Sequence, residues 1–338
     1  MNKESQYLKK LYPLSLELQD LAPWQWMHES ELFGIQIPDS DTFYFASVMG
    51  SIGQFFAVSF YEGVRAADQF LRIQDLPDDA RPDDILLLPH LMVSFDEKKY
   101  LEHNDKQRIK QYGYSLKDRK KWPMFQQVIP GHPYIFPESA KLKDLIPLLE
   151  QTLVITKRAR KEEFAYIERS DIGFNGLFRM LKSGSNTGWS DEFMEVPVYS
   201  EPAAVPKSIR KVEQLNRIPG KNLVLEVELA MIPNPVMDRK PPYFPFILLL
   251  VDKESGYIYH FEILTPHPSV DEMVAGSGVK LLEILIEQKI HPQEIQVRSE
   301  RLHPVLKKVL TGTSVFLSYQ RRLPALEAAM ESLMDFMK

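Results

Sequence analysis

A basic and aromatic segment at residues 106–122, KQRIKQYGYSLKDRKKW, holds the residue types that most directly suggest a ligand. Cationic side chains can neutralise the phosphates of a nucleic acid, and aromatic rings can stack on its unpaired bases. The residues that would form such a binding surface are Lys117, Arg119, Lys120, Lys121 and Trp122. Nucleic acid is therefore a partner that this segment allows.

An ordinary structural role explains the same segment, and we favour it over nucleic-acid binding. The lysines would then belong to a solvated helix face and loop, and Trp122 would be buried at the start of a strand. The acidic stretch DLPDDARPDD at residues 75–84 could balance the positive charge nearby.

Two tryptophans, Trp24 and Trp26, lie two residues apart in PWQWM, directly after an amphipathic opening helix. If they are exposed, they would anchor a protein partner, because large aromatic side chains often dominate binding surfaces. The more common role of such residues is to seal a helix against a sheet, and we favour that interpretation.

The common catalytic and cofactor motifs are absent from the sequence. It has no G-x-G-x-x-G, no G-x-x-x-x-G-K-[ST], no H-E-x-x-H and no G-x-S-x-G. The GSG at residues 276–278 lacks the lysine of a phosphate loop, and we interpret it as close helix packing. There is no cysteine, which removes disulfides, thiolate zinc sites and cysteine nucleophiles. We therefore expect no resident cofactor.

Length and charge limit the classes of protein further. A chain of 338 residues is long enough for two domains, and a formal net charge of −5 provides no overall positive field. No apolar run approaches the roughly 18 residues that a membrane span needs, and the N-terminus lacks the features of a signal peptide. We expect a cytoplasmic protein without a membrane partner.

The hydrophobic patterns predict an α+β protein of two domains. Residues 1–165 read as an N-terminal α+β domain of unknown function. Residues 166–221 are rich in Gly, Ser and Pro and predict a linker or wrapping segment. Residues 222–338 alternate between strand and helix patterns in the order β-β-β-α-β-α-β-α, which predicts a mixed five-stranded sheet with helices packed on it.

The stretch LLLVDKESGYIYHFEIL at residues 248–264 is the clearest hairpin of the second domain. Its Asp252 could be a catalytic carboxylate at a strand end. We interpret it instead as a turn residue whose carboxylate accepts backbone N–H groups, as Asp commonly does.

That hairpin, together with GVKLLEILIEQKIHPQEIQVRS, resembles the ribonuclease H-like fold of retroviral integrases. The resemblance covers residues from about 222 to the end of the chain. It implies a site of carboxylates that hold two divalent metal ions, Mg²⁺ or Mn²⁺, with acids in the first strand, at the end of the fourth strand and in the last helix.

The resemblance places Glu226 or Glu228 and Glu327 at two of those positions, but it places Arg298 at the third. A guanidinium cannot ligate Mg²⁺. The resemblance therefore implies a degenerate core. We expect both strand acids to lie on a solvated or partly covered polar strand face.

The whole chain also resembles an uncharacterised bacterial family built from two domains of unknown function. Four stretches carry this resemblance: LAPWQWMHESELFGIQ, FASVMGSIGQFFAVSFYEG, KKWPMFQQVIPGHPYIFPES and LPALEAAMESL. Some relatives carry a SEC-C zinc tail, but this chain has neither that motif nor cysteine. The family implies an architecture and no activity.

Because the acid set is incomplete, we expect a non-catalytic binding or scaffold protein. One alternative is a metal-dependent nuclease or phosphoryl-transfer enzyme with a relocated carboxylate set, which would need Mg²⁺ or Mn²⁺. The other is a nucleic-acid binder that acts through residues 106–122.

Overall fold

The protein is described by a computed structural model that covers residues 3–38, 40–75, 82–161, 166–170, 173–181, 188–197, 205 and 208–336. The chain divides into two compact units. Unit 1 comprises residues 1–129 and 134–200, and unit 2 comprises residues 130–133 and 201–338.

Helices of both units carry the apolar periodicity seen in the sequence. Unit 1 contains α1 (Lys3–Leu21), α2 (Gly63–Gln74), α3 (His103–Gln111) and α4 (Ser139–Ala159). Unit 2 contains α5 (Ile209–Asn216), α6 (Val270–Glu287), α7 (Leu302–Val309) and α8 (Pro324–Phe336). Among the described residues, no helix is both long and apolar enough to cross a membrane.

The strands of the described residues form one sheet in each unit, with eight strands in unit 1 and five in unit 2. The strands of unit 1 are β1 (Phe33–Gln36), β2 (Phe43–Met49), β3 (Ala57–Glu62), β4 (His90–Glu97), β5 (Lys121–Val128), β6 (Glu168–Arg169), β7 (Gly173–Leu181) and β8 (Trp189–Pro197). Those of unit 2 are β9 (Lys221–Met231), β10 (Phe246–Asp252), β11 (Ile258–Leu264), β12 (Pro292–Val297) and β13 (Phe316–Tyr319).

The eight-stranded sheet of unit 1 runs in the order β5-β4-β3-β2-β1-β7-β6, with β8 paired to β7. Strands β2 to β5 pair antiparallel in chain order, as strands that follow each other along the chain commonly do. Helices α1 and α4 contact each other and carry much of the main hydrophobic core.

Two local features differ from what the sequence suggests. The segment 166–221, interpreted as a linker or wrapping segment, contains β6, β7, β8 and α5. Asp96 has a residue type that often caps a helix, but it lies within β4 and accepts a hydrogen bond from Ser94 Oγ at 2.7 Å. The helix that follows begins later, and its N-cap is Glu102.

The five-stranded sheet of unit 2 runs in the order β11-β10-β9-β12-β13. The central strand β9 is antiparallel to β10 and parallel to β12. Numbered within the unit, this order is 3-2-1-4-5, which is consistent with a ribonuclease H-like fold. The prediction of an α+β protein whose second sheet has five mixed strands is confirmed.

Helix α8 packs on the two neighbouring strands β9 and β10. Its contact surface includes Leu326 and Ala329, which join the apolar residues Leu249 and Val251 of β10 in one buried cluster. Side chains alternate between the faces of a strand, so this face of β9 carries Glu226 and Glu228, while Leu225, Val227 and Leu229 point to the opposite face.

Candidate functional site

Arg298 joins two acidic side chains of unit 2 through its guanidinium group. Its Nε donates to Glu228 Oε2 at 2.8 Å, and its Nη1 donates to Glu327 Oε1 at 2.7 Å. The other oxygen of Glu327 accepts from Arg322 Nη2 at 3.2 Å. Hydrogen bonds between charged groups are stronger than neutral ones, so Arg298 ties the sheet to helix α8.

Three elements bring these side chains together. Glu228 lies in the middle of β9, Arg298 directly follows β12, and Glu327 lies in the first turn of α8. In the parallel pairing of β12 with β9, Gln296 stands opposite Glu226, so the next residues on the same face, Arg298 and Glu228, also meet. The three positions named by the ribonuclease H resemblance therefore do converge.

The expectation that Glu226 and Glu228 lie on a solvated or partly covered strand face is wrong. Both residues are fully buried, at 0% exposure. The physical cause is α8, which covers this face of β9, whereas the sequence shows only that the two acids share a face. Buried carboxylates need charged or hydrogen-bonding partners, and the two acids find different ones.

Glu226 binds the N-terminus of α8. Its Oε2 accepts the N–H of Leu326 at 2.8 Å, and a backbone bond from Ala325 also stabilises the ionised form. Its Oε1 makes no hydrogen bond within the described residues. Burial outweighs these contacts and raises the pKa of the Glu226 carboxyl above its usual value.

A raised pKa at Glu226 predicts a measurable pH dependence of stability. The folded state holds the proton of the Glu226 carboxyl more tightly than the unfolded state does. The contribution of this carboxyl to the free energy of unfolding therefore increases as pH falls through its raised pKa towards the usual value of about 4.5. Glu226→Gln keeps an oxygen acceptor for Leu326 and removes the charge. We expect Glu226→Gln to be more stable than the wild type at pH 7.5, with a smaller difference near pH 5.

Urea unfolding at both pH values measures this difference. Glu254→Gln is the matched control, because it removes the same charge at an exposed position in the turn after β10. A Glu226→Gln advantage that stays constant with pH would contradict the assignment of the raised pKa.

The arrangement of donors around Glu228 and Glu327 holds a guanidinium rather than a metal ion. Arg298 already occupies one oxygen of each acid with an N–H group. Elsewhere in the described part of the chain, no three His, Asp or Glu side chains are grouped as metal ligands. Asp252 is a turn residue, as predicted, since Oδ1 accepts from Glu254 N–H at 3.0 Å and Oδ2 accepts from Ser255 Oγ at 2.7 Å.

A second site, which we call the basic cleft, lies in unit 1 between the end of β4, helix α3 and the loop before β5. It consists of two adjoining cavities of about 740 and 550 Å³ that share Lys98, Lys106 and Leu116 as walls. The first cavity is also lined by Arg119, Lys120 and Lys121, and the second by Lys110, Tyr114 and Lys117.

Five lysines of the basic cleft have no carboxylate within ion-pair distance among the described residues: Lys98, Lys106, Lys110, Lys117 and Lys120. The acidic stretch that was expected to balance this charge lies, from residue 76 to 84, outside the described side chains. Asp75, the first residue of the stretch, pairs with Arg169 at 2.7 Å.

Other predicted cations of the segment already have partners. Arg119 forms a double hydrogen bond with Asp20 at 2.5 and 2.7 Å, and this bond holds the pKa of Asp20 below its usual value. The ammonium of Lys121 lies 3.8 Å from the ring centroid of Phe56. These two side chains contribute to the wall of the cleft but are less available to a ligand than the unpaired lysines.

The tryptophans are held by the protein itself. Trp122 is fully buried at the start of β5, as the structural interpretation predicted, so it cannot stack on a base. Trp24 is half-buried and packs on Phe56 and Phe95 with ring centroids 5.0 and 5.6 Å apart. Trp26 donates from Nε1 to the Thr156 carbonyl at 3.1 Å. Both side chains pack against the core of unit 1.

Sequence reasoning missed two lysines of the basic cleft, Lys98 and Lys99. They belong to EKKY, which directly follows β4, and they lie close to residues 106–121 only after the chain has folded. The sequence did contain a signal for this position. A pair of lysines between a strand and the helix that follows it lies at the end of a sheet, where it is able to line a surface cleft. Lys99 pairs with Glu97 at 3.1 Å, whereas Lys98 opens to both cavities.

Comparison with known proteins identifies the two halves of the chain at the level of domain families. Residues 9–174 match the model of a domain of unknown function (DUF7309), and residues 209–334 match a second domain of unknown function (DUF6930). Neither a curated protein nor a solved structure gives a significant match. The likeness to ribonuclease H therefore rests on the strand order of unit 2. The chain carries two domains of unknown function.

Proposed function

We propose that this chain is a non-catalytic nucleic-acid-binding protein that holds a single strand by its phosphates in the basic cleft of unit 1. The observation that carries the proposal is the group of five lysines that line two adjoining cavities without carboxylate partners among the described residues. A protein with a net charge of −5 does not attract polyanions as a whole, so this cleft would act as a local site.

The shape and composition of the cleft favour a strand over a duplex. Proteins bind single strands in positively charged grooves that follow the backbone, with aromatic side chains beside the bases. The rings among the lining residues of the second cavity are half-buried Tyr114 and the exposed imidazole of His103. Since Trp122 is buried, binding would depend mainly on phosphate contacts and would show little sequence preference.

The non-catalytic part of the proposal rests on Arg298. The alternative, a metal-dependent nuclease or phosphoryl-transfer enzyme, needs carboxylates that are able to take Mg²⁺ or Mn²⁺. In unit 2 a fixed cation already bridges Glu228 and Glu327, at 2.8 and 2.7 Å. A ribonuclease H-like unit with this substitution would serve as a scaffold.

Fluorescence anisotropy with a labelled mixed-sequence single-stranded oligonucleotide tests the proposal. If five phosphates are neutralised, the slope of log K against log salt is about −3.5, so that binding weakens roughly 100-fold between 50 and 200 mM salt. The double variant Lys117→Glu with Lys120→Glu should weaken binding at least about 10-fold and reduce the slope by about 1.4.

A matched control is Lys221→Glu with Lys307→Glu, which changes the net charge equally at exposed positions of unit 2. This control should bind as the wild type does. Binding that is indifferent to salt, or a cleft variant that binds as tightly as the control, would overturn the proposed ligand. Cleavage of the same oligonucleotide with Mn²⁺, abolished by Glu228→Gln, would overturn the non-catalytic part.

A further inference from the structure

The strand β11 lies at the edge of the unit 2 sheet, where β10 is its one partner among the described strands. An edge strand presents N–H and C=O groups that can bind another strand. The residues from His260 to Leu264 form a regular antiparallel ladder with β10, and a bulge between Leu250 and Val251 interrupts the pairing at the other end.

The direction of the backbone groups of β11 follows from its neighbours. Ile232 N–H donates to the Pro245 carbonyl, and Asp252 N–H donates to the Tyr257 carbonyl. The N–H and C=O groups of successive residues point to alternate sides of a strand, so the even-numbered residues of β10 bond to β11. Their even-numbered partners in β11 point their own N–H and C=O groups back towards β10. The N–H and C=O of Phe261 and Ile263 therefore point away from β10.

The two faces of β11 differ in chemistry. Phe261 and Ile263 share one face and are 53% and 45% exposed, which is high for large apolar side chains in a strand. His260 and Glu262 share the other face, where Glu262 also bonds to Lys280 of α6. The edge therefore combines outward backbone groups, exposed apolar side chains and an imidazole beside a carboxylate.

His260 lacks a hydrogen bond on this edge. Its Nε2 is shielded from solvent and makes none within the described part of the chain, although it lies 3.5 Å from Glu262 Oε2. A buried polar atom without a hydrogen bond is costly and is rare in folded proteins. A carboxylate that approaches from beyond the edge would satisfy it.

We propose that β11 pairs antiparallel with β11 of a second copy of this chain, with the two-fold axis at Phe261. In this register the two copies of Phe261 exchange their outward N–H and C=O groups. Each His260 then stands opposite Glu262 of the other copy, and the pair occurs twice. The result is a continuous ten-stranded sheet across the dimer.

The imidazole of His260 and the carboxylate of Glu262 select this register and this partner. An axis at Glu262 would place two carboxylates opposite each other, which is unfavourable. An axis at Ile263 would set Glu262 against Leu264 and leave His260 unsatisfied. The axis at Phe261 alone sets the imidazole of each copy against a carboxylate of the other, and its complementarity is the same on the two copies, as a two-fold interface requires. Since the bulge keeps the ladder short, the dimer is weak and concentration-dependent.

A charge-exchange experiment on the full chain tests the pairing by sedimentation velocity over a concentration series. Glu262→Lys sets Lys against His260 at both pairs, and His260→Glu sets two acids opposite each other. Each variant alone should dimerise roughly 30-fold more weakly than the wild type. An equimolar mixture of the two variants should recover dimers, because each Lys then faces the Glu of the other copy.

Two further variants separate the interface from the fold. Phe261→Pro removes the outward N–H while leaving the bonds to β10 intact, since Pro is tolerated on the open side of an edge strand, and it should abolish the dimer. Lys280→Ala removes the partner of Glu262 within the chain and should leave the dimer unchanged. A wild type that stays monomeric at the highest concentration it reaches would overturn the proposal, as would a mixture that remains monomeric.

Discussion

Replacing Arg298 with alanine is expected to lower the free energy of unfolding by about 3 kcal/mol. The substitution removes the guanidinium that bonds Glu228 and Glu327, at 2.8 and 2.7 Å. Glu228 is fully buried, so its carboxylate would lose a charged partner where water cannot replace it. The expected loss lies at the lower end for a broken buried pair, because the Arg298 side chain retains 22% exposure.

Urea denaturation of the wild type and the variant gives this difference, provided that the slope with denaturant is unchanged. Arg322→Ala is the matched control, since Arg322 bonds the same Glu327 but its side chain is 74% exposed. Exposed pairs contribute little, and we expect this control to cost less than about 0.5 kcal/mol.

Adding Glu228→Gln to the Arg298→Ala variant should recover part of the lost stability, because the remaining buried group is then neutral. A double-mutant cycle with these two changes isolates the coupling between the side chains. Equal losses from Arg298→Ala and Arg322→Ala would show that the buried bridge does not stabilise unit 2.

Replacing Gly278 with leucine is expected to destabilise the protein by about 3 kcal/mol, the upper end of the usual cost of overpacking. Gly278 is buried in α6 where this helix contacts α7. A Cβ at this position would lie 2.7 Å from Val305 Cγ1 and 2.9 Å from Val309 Cγ2. Branched valines on a helix have little rotamer freedom, so the helices would have to move apart.

The same GSG stretch supplies the control for this experiment. Gly276 is exposed in the same helix, and a Cβ there would meet nothing within 4 Å. Gly276→Ala should raise stability by about 0.5–1 kcal/mol through helix propensity. Thermal and urea unfolding compare the two variants, and a Gly278→Leu protein as stable as the wild type would contradict the close packing of α6 on α7.

Much of unit 2 could be predicted from its sequence, because its elements are short, regular and separated by turn residues. The strict alternation around Leu225 and Val227 is typical of a strand, and β9 has that structure. Serine is a favoured N-cap residue, and Ser269 caps α6, where its Oγ accepts the N–H of Glu272 at 3.1 Å. These features depend on contacts between residues that are close in sequence.

The later part of unit 1 was harder to predict, for a physical reason. Strands β7 and β8 contain glycines and charged residues that favour a loop by local propensity. Gly173 and Gly176 stand where a Cβ would lie 2.0 Å from the Val196 carbonyl oxygen and 2.7 Å from the Ile167 Cα. Their role is to let two backbones approach, and this role appears only when the partner strand is known.

The sequence by itself determined the fold class, the succession of strands and helices along unit 2 and the presence of Arg298 where the ribonuclease H resemblance implies an acid. Those properties depend on residue type and on periodicity along the chain. Only the tertiary structure decided that Glu226 and Glu228 are buried, because α8 covers a strand that lies about a hundred residues before it. Likewise, Lys98 joins Lys106 and Lys120 around one cleft only in the folded chain. The burial of a side chain and its approach to other side chains depend on contacts between residues that are distant in sequence. Such contacts bring Arg298 to Glu228 and Glu327 and form the basic cleft of unit 1.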